Sequence, residues 1–143
     1  MKILSISQPW AWLVFNDSHS GLGLKDCENK LTYENISYRG ELCICTFSKK
    51  HFDYKGYEKL IKSGHQIPLP DSDEYSYGAI IGVVELADVV TDVEMSKWRN
   101  KNTIGYMFKN PRKLKEPFKF SANRVIKTLL VSQIKTINDL IEQ

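Results

Sequence analysis

Residues Ala79 to Val90 constrain this chain most: they are almost wholly apolar or β-branched and read as one long strand. Gly82 permits a bulge or bend within it. If the alternation is strict, Ile81, Val83, Glu85, Ala87 and Val89 share one face. A carboxylate then sits in the middle of an apolar row. Burying it unpaired is costly, so Glu85 needs a partner, a raised pKa or a cleft. Two other arrangements relieve the conflict. The strand can lie at an edge and use the charge against aggregation, or a bulge at Gly82 can turn Glu85 outward.

The remaining pattern is a series of short elements. Lys2 to Ile6 reads as a strand. Ser7 is placed to cap a helix with Pro9 in its first turn and an apolar stripe of Trp10, Leu13 and Val14. That helix stops before Gly21 and Gly23. Lys25 to Arg39 is polar and reads as irregular. Glu41 to Ser48 carries apolar residues on both faces, as a central strand does. Asp53 can cap a short helix ending near Gly64, and His65 to Tyr77, with Pro68 and Pro70, reads as a loop. Short strands are expected near Ile104 to Lys109, Pro117 to Phe120 and Ile126 to Ser132. Ile134, Ile137 and Ile141 recur at helical spacing. Such a mixture predicts an α+β fold: a small mixed β-barrel with short helices packed on it. At 143 residues, a single domain spanning 1–143 is expected.

Charge is unevenly laid out. The net charge is +3. Yet Met95 to Lys127 holds ten basic residues and one acid, Glu116, whereas Asp71 to Glu94 holds seven acids and no base. The basic residues are Lys97, Arg99, Lys101, Lys109, Arg112, Lys113, Lys115, Lys119, Arg124 and Lys127. Trp98, Tyr106, Phe108, Phe118 and Phe120 are interleaved with them. A basic face with aromatics suits RNA or another single-stranded nucleic acid. The same run is also compatible with a solvated face over a core that takes the aromatics.

No apolar stretch approaches the ~18 residues of a transmembrane helix, and the first residues lack a signal peptide's apolar region. A cytoplasmic protein with reduced thiols and no membrane association is expected. Cys43 and Cys45 face opposite ways on a strand, and His19, His51 and His65 have no metal-site spacing. Neither a metal nor any other cofactor is expected.

Five ordered blocks then resemble the ASCH family. Leu4 to Ala11 is similar to its opening, and Gly23 to Lys30 to its G-x-K-x-x-E-x-R motif. Tyr38 to Leu42, Gly78 to Leu86, and Asn110-Pro111-Arg112 with Leu114 and Pro117 are similar to its later blocks. The resemblance implies a barrel of PUA-like type and binding of RNA or a nucleotide-like ligand. Two positions depart from the family pattern. Lys30 replaces the final Arg and loses its bidentate fork, and Thr46-Phe47-Ser48 stands where relatives often carry His-Ala-Ser.

By that resemblance Lys25, Glu28 and Glu85 line a ligand cleft, with Lys25 as partner to Glu85. A cation and a carboxylate together can bind a base edge, hold a phosphate or transfer a proton; their other reading is a surface ion pair. Trp10 is a candidate for base stacking or for the core, and Gln8 for contacting a base edge. Lys30, Arg39, Asn110 and Arg112 complete the candidate ligand- or RNA-binding set; Arg39 has the alternative of bonding a loop carbonyl.

Two functional classes follow, together with a charge-driven protein-interaction module that only the acidic run suggests. The first is an RNA- or nucleotide-binding module. The second is a hydrolase using the same cleft, either an amidohydrolase of acetylcytidine type or a ribonuclease, with Lys25, Glu28 and Glu85 as the catalytic candidates. The amidohydrolase pattern has a Lys, a Thr and a Glu. Lys25 and Glu85 align with two of these, but Glu28 occupies the Thr position, and Thr32 lies four residues later. In a hydrolytic scheme Glu28 or Glu85 activates water and Lys25 stabilises the oxyanion.

Overall fold

Among the described residues of the computed structural model, all strands belong to one mixed sheet of six, in the order β2-β5-β4-β3-β1-β6. Residues 1–31, 37–123 and 126–141 are described; Thr32 and Arg124 lie outside them. The strands are β1 (Lys2–Ile6), β2 (Cys27–Lys30), β3 (Gly40–Thr46), β4 (Ala79–Val90), β5 (Ile104–Lys119) and β6 (Lys127–Thr128). The helices are α1 (Trp10–Phe15), α2 (Tyr54–Lys62) and α3 (Val131–Leu140). The fold is α+β, a sheet curled into a half-barrel with three short helices.

The centre of the sheet follows from its residue types. β3 pairs in parallel with β1 and antiparallel with β4, so it is central. It is apolar on both faces because both are covered. On one face Leu4, Ile6, Leu42, Ile44, Val84, Leu86, Tyr106 and Phe108 pack with Ala11 and Val14 of α1. On the other, Ile3, Cys43, Cys45, Ile80, Val83 and Leu114 pack with Ile137 of α3. A third cluster, Leu13, Cys27, Leu60, Trp98 and Met107, joins α1, α2 and β2.

Bulges reassign the faces of β4. Its register against β5 shifts between Ile80 and Gly82, between Val83 and Glu85, and between Leu86 and Asp88. Ile81 and Val89 pack on the α1 side, whereas Val83 packs on the α3 side. The single apolar row expected from strict alternation therefore does not exist. The Phe15 ring lies close over Gly82: a Cβ there would lie 2.3 Å from Phe15 Cζ, so the ring would have to move.

Four local expectations change. Ser7 does not cap α1; Pro9 occupies the N-cap position, with no side-chain cap. Part of the polar stretch after Lys25 forms β2, because Cys27 and its neighbours pair with β5 as a sheet edge. The two strands expected within residues 104–120 are one long β5, whose Leu114 is buried in the α3 cluster. The strand expected over Ile126 to Ser132 is reduced to β6, since α3 begins at Val131. Asp53 caps α2 as expected, accepting from Gly56 N at 2.9 Å.

Candidate ligand cleft

Lys25 lies in the connection from α1 to β2. Its backbone N–H donates to Leu13 O at 2.9 Å, which ties the connection to α1. Its side chain is only 3 % exposed. The ammonium donates to Cys27 O and to Glu28 Oε1, the latter at 3.4 Å, and lies 5.8 Å from the centroid of the Trp10 ring. Glu28 follows on the edge strand β2, opposite Tyr106 of β5. The cation thus has a carbonyl, a carboxylate and an aromatic face around it, which offsets part of the loss of water.

Trp10 is fixed by α2. Its Nε1 donates to Asp53 Oδ2 at 2.9 Å, while Asp53 Oδ1 caps the helix. The ring and Asp53 are packed so closely on α2 that a Cβ at Gly56 would lie 2.5 Å from Trp10 Cζ2.

These groups line one open cleft of about 710 Å³ between α2 and the β4–β5 connection. Trp98 and His65 line it too. Trp98 is 8 % exposed, packs 5.3 Å from the His65 ring, and its indole N–H has no partner among the described residues. Burial lowers the pKa of His65, whose Nδ1 lies 2.6 Å from Ser18 Oγ. Neutral imidazole is favoured there because the charged form is less well solvated.

Arg99 holds this wall in place. It belongs to the basic segment, yet it is buried and bonds inward. Its guanidinium donates to Thr103 O at 2.8 Å and to Asp92 O at 3.3 Å, and also to Asn29 Oδ1. Asn29 Nδ2 in turn donates to Trp98 O at 3.0 Å. The guanidinium also packs onto Gly105, where a Cβ would lie 2.4 Å from Arg99 Nε. Asn29 was not a candidate from sequence, and Trp98 and Arg99 were named there only as part of the basic, aromatic run; their bonding to Asn29 is what marks them as a wall of the cleft.

Glu85 lies elsewhere, so the expected Lys25–Glu85 pair does not form. Glu85 Oε2 accepts from Lys109 Nζ at 3.1 Å, in a half-exposed pair. Level with Glu28 across β5 is Val89 of β4. Glu85 is therefore about 13 Å further along the strand at ~3.3 Å per residue. It shares the Val83 face, toward α3, and the bulges supply the physical reason.

Arg39 and Arg112 join Glu85 rather than the cleft. Glu41 and Glu85 are cross-strand partners. Arg112 pairs with Glu41 at 3.0 Å, and Arg39 approaches Asp88 at 3.5 Å while donating to Tyr38 O at 2.9 Å. Asn110 forms a bend at φ +54, and its carbonyl accepts from Arg112. Gln8 is buried and both ends of its amide are engaged internally, with Ser76 O at 3.2 Å and Trp12 N at 2.8 Å. This places Gln8 in the scaffold rather than at a base edge. Lys30 pairs along β2 opposite Ile104 and does not line the cleft.

The aromatics of the basic segment do not form an exposed stacking face. Tyr106, Phe108 and Trp98 are buried, and Phe118 and Phe120 pack against the α3 cluster. Among the described residues no helix is long and apolar enough to cross a membrane, and no three His, Cys, Asp or Glu side chains group as metal ligands would. No family model matches the chain, and no curated protein matches it.

Proposed function

We propose that this chain is an RNA- or nucleotide-binding domain of ASCH type, with its ligand seated in the Lys25–Glu28 cleft. The observation that carries the reading is the buried ammonium of Lys25 at an open cleft, beside Glu28 and the Trp10 ring. For stability alone, a well-packed apolar residue would serve at least as well as a buried ion pair. A lysine kept there has one N–H left to offer a ligand. Lys25 supplies that donor and Glu28 acceptors to a base edge. A base stacked on Trp10 would gain about 1–3 kcal/mol. Three buried cysteines, Cys27, Cys43 and Cys45, suit the reducing cytoplasm.

The 3.4 Å approach of Glu28 to Lys25 also favours a second reading, hydrolysis at the same cleft. There Glu28 would activate water and Lys25 would stabilise the oxyanion. Glu85, paired with Lys109, takes no part in either reading.

The test is titration of purified protein with single-stranded RNA oligonucleotides at two salt concentrations, beside incubation with acetylcytidine and with labelled RNA. Salt-sensitive binding without turnover supports the binding module. Turnover abolished by Glu28→Gln supports the hydrolase. Neither binding nor turnover contradicts both.

A further inference from the structure

The basic segment is the obvious place for a phosphate, but part of it is committed within the fold. Lys109 pairs with Glu85, Arg112 with Glu41, and Lys113 donates to Asn16; Arg99 is buried and bonds to its own wall. The cleft mouth places free lysines beside Lys25, Glu28 and Trp10. Lys55 and Lys59 line it from α2, and Lys97 lines it from the β4–β5 connection. All three are exposed, and none has an acidic partner among the described residues.

The cleft's acids do not balance these lysines. Glu28 faces Lys25, and Asp53, which accepts from Trp10 and Gly56, is the one other acid lining the cleft among the described residues against three lysines. Lys55 and Lys59 are also four apart on one helix, a like-charge spacing that destabilises a helix. An anion between them would reverse that cost.

We infer that the cleft mouth is a phosphate subsite formed by Lys55, Lys59 and Lys97, so the ligand is a phosphorylated nucleotide unit rather than a free nucleoside. The inference rests on the nucleotide reading of the Lys25 cleft and adds to it. The base enters toward Lys25, Glu28 and Trp10, and its phosphate meets the α2 lysines. The phosphate is either that of a free nucleotide or a phosphodiester of single-stranded RNA.

The experiment measures affinities for three probes: the four common ribonucleosides, their 5′-monophosphates, and a mixed-sequence single-stranded RNA octamer. The wild type is compared with a Lys55→Gln/Lys59→Gln variant and a Lys115→Gln/Lys119→Gln control. All four lysines are exposed, so both variants should fold. Monophosphates binding at least about tenfold tighter than nucleosides identify a free nucleotide. A tighter octamer identifies an RNA phosphodiester. In either case Lys55→Gln/Lys59→Gln removes the preference, leaves nucleoside affinity unchanged and lowers the salt slope by about two. The control changes none of these. Binding that persists with no dependence on Lys55 and Lys59 overturns the subsite and leaves the cleft reading standing. If no probe binds, the cleft reading itself fails.

Discussion

Lys25 and Glu28 hold their opposite charges 3.4 Å apart, with Lys25 almost wholly withdrawn from solvent and Glu28 15 % exposed. The two sides of this pair are therefore unequal. Removing Glu28 leaves a buried ammonium without its carboxylate. Removing Lys25 leaves a carboxylate that water can still reach. Glu28→Gln is expected to lower unfolding free energy by about 1–2 kcal/mol, below the 3–5 of a fully buried pair because Glu28 is partly wet. Lys25→Met, which keeps the stem, is expected to cost less than Glu28→Gln. Urea denaturation of both variants checks the order.

Glu85 provides the contrasting case. Its pair with Lys109 is half-exposed, at 38 % and 65 % of the side chains. Glu85→Gln should change stability by about 0–1 kcal/mol and leave ligand affinity as it is. Loss of binding in Glu85→Gln would return Glu85 to the site.

A side chain at Gly82 should have to displace the Phe15 ring. The added Cβ would meet the ring at 2.3 Å, so Gly82→Ala is expected to destabilise by about 1–3 kcal/mol through overpacking. Phe15→Leu should recover part of that loss. A double-mutant cycle in denaturant measures the coupling, and strictly additive effects would show that the bulge relaxes on its own.

The thiols should be silent in the native protein. Burial pushes Cys43 up to about 12 and Cys45 up to about 11, and raises Cys27 as well. The thiolate is the reactive form, so a disulfide reagent at mildly alkaline pH should label none of the three in the folded state and all three in urea.

His65 should make the fold acid-sensitive. Its pKa is lowered in the folded state by burial, so below the unfolded value the unfolded chain binds more protons. The stabilising contribution is complete above about pH 6.5 and is lost as the pH falls through the lowered folded value. Denaturation midpoints should fall between about pH 7 and about pH 5. The fall should be shallower in His65→Gln, and an identical slope would assign it to other groups.

Much of this architecture was readable from local patterns, since its strongest elements are set by residues near one another. β1 and β4 fall on the apolar runs, β3 is apolar on both faces, and Asp53 announces α2. Long-range contacts decide the rest. Cys27 to Lys30 become a strand only because β5 offers an edge. The aromatics of the basic segment look available for stacking until the sheet curls over them. Lys25 and Glu28 are neighbours in sequence and meet. Glu85 depends on a periodicity that three register shifts interrupt. Lys55 and Lys59 lie outside the basic segment, and nothing short of the packing of α2 against Trp10 brings them to the cleft.

The most direct test of the cleft as the ligand site is to follow the indole N–H resonances of Trp10 and Trp98 by NMR during titration with a single-stranded RNA octamer. The account predicts that both move together with the Lys25 and Asn29 backbone signals, and that Lys25→Met removes the shifts while the remaining spectrum stays folded. Shifts confined to Lys109, Arg112 and their neighbours on β5, with Trp10 and Trp98 unmoved, would contradict it.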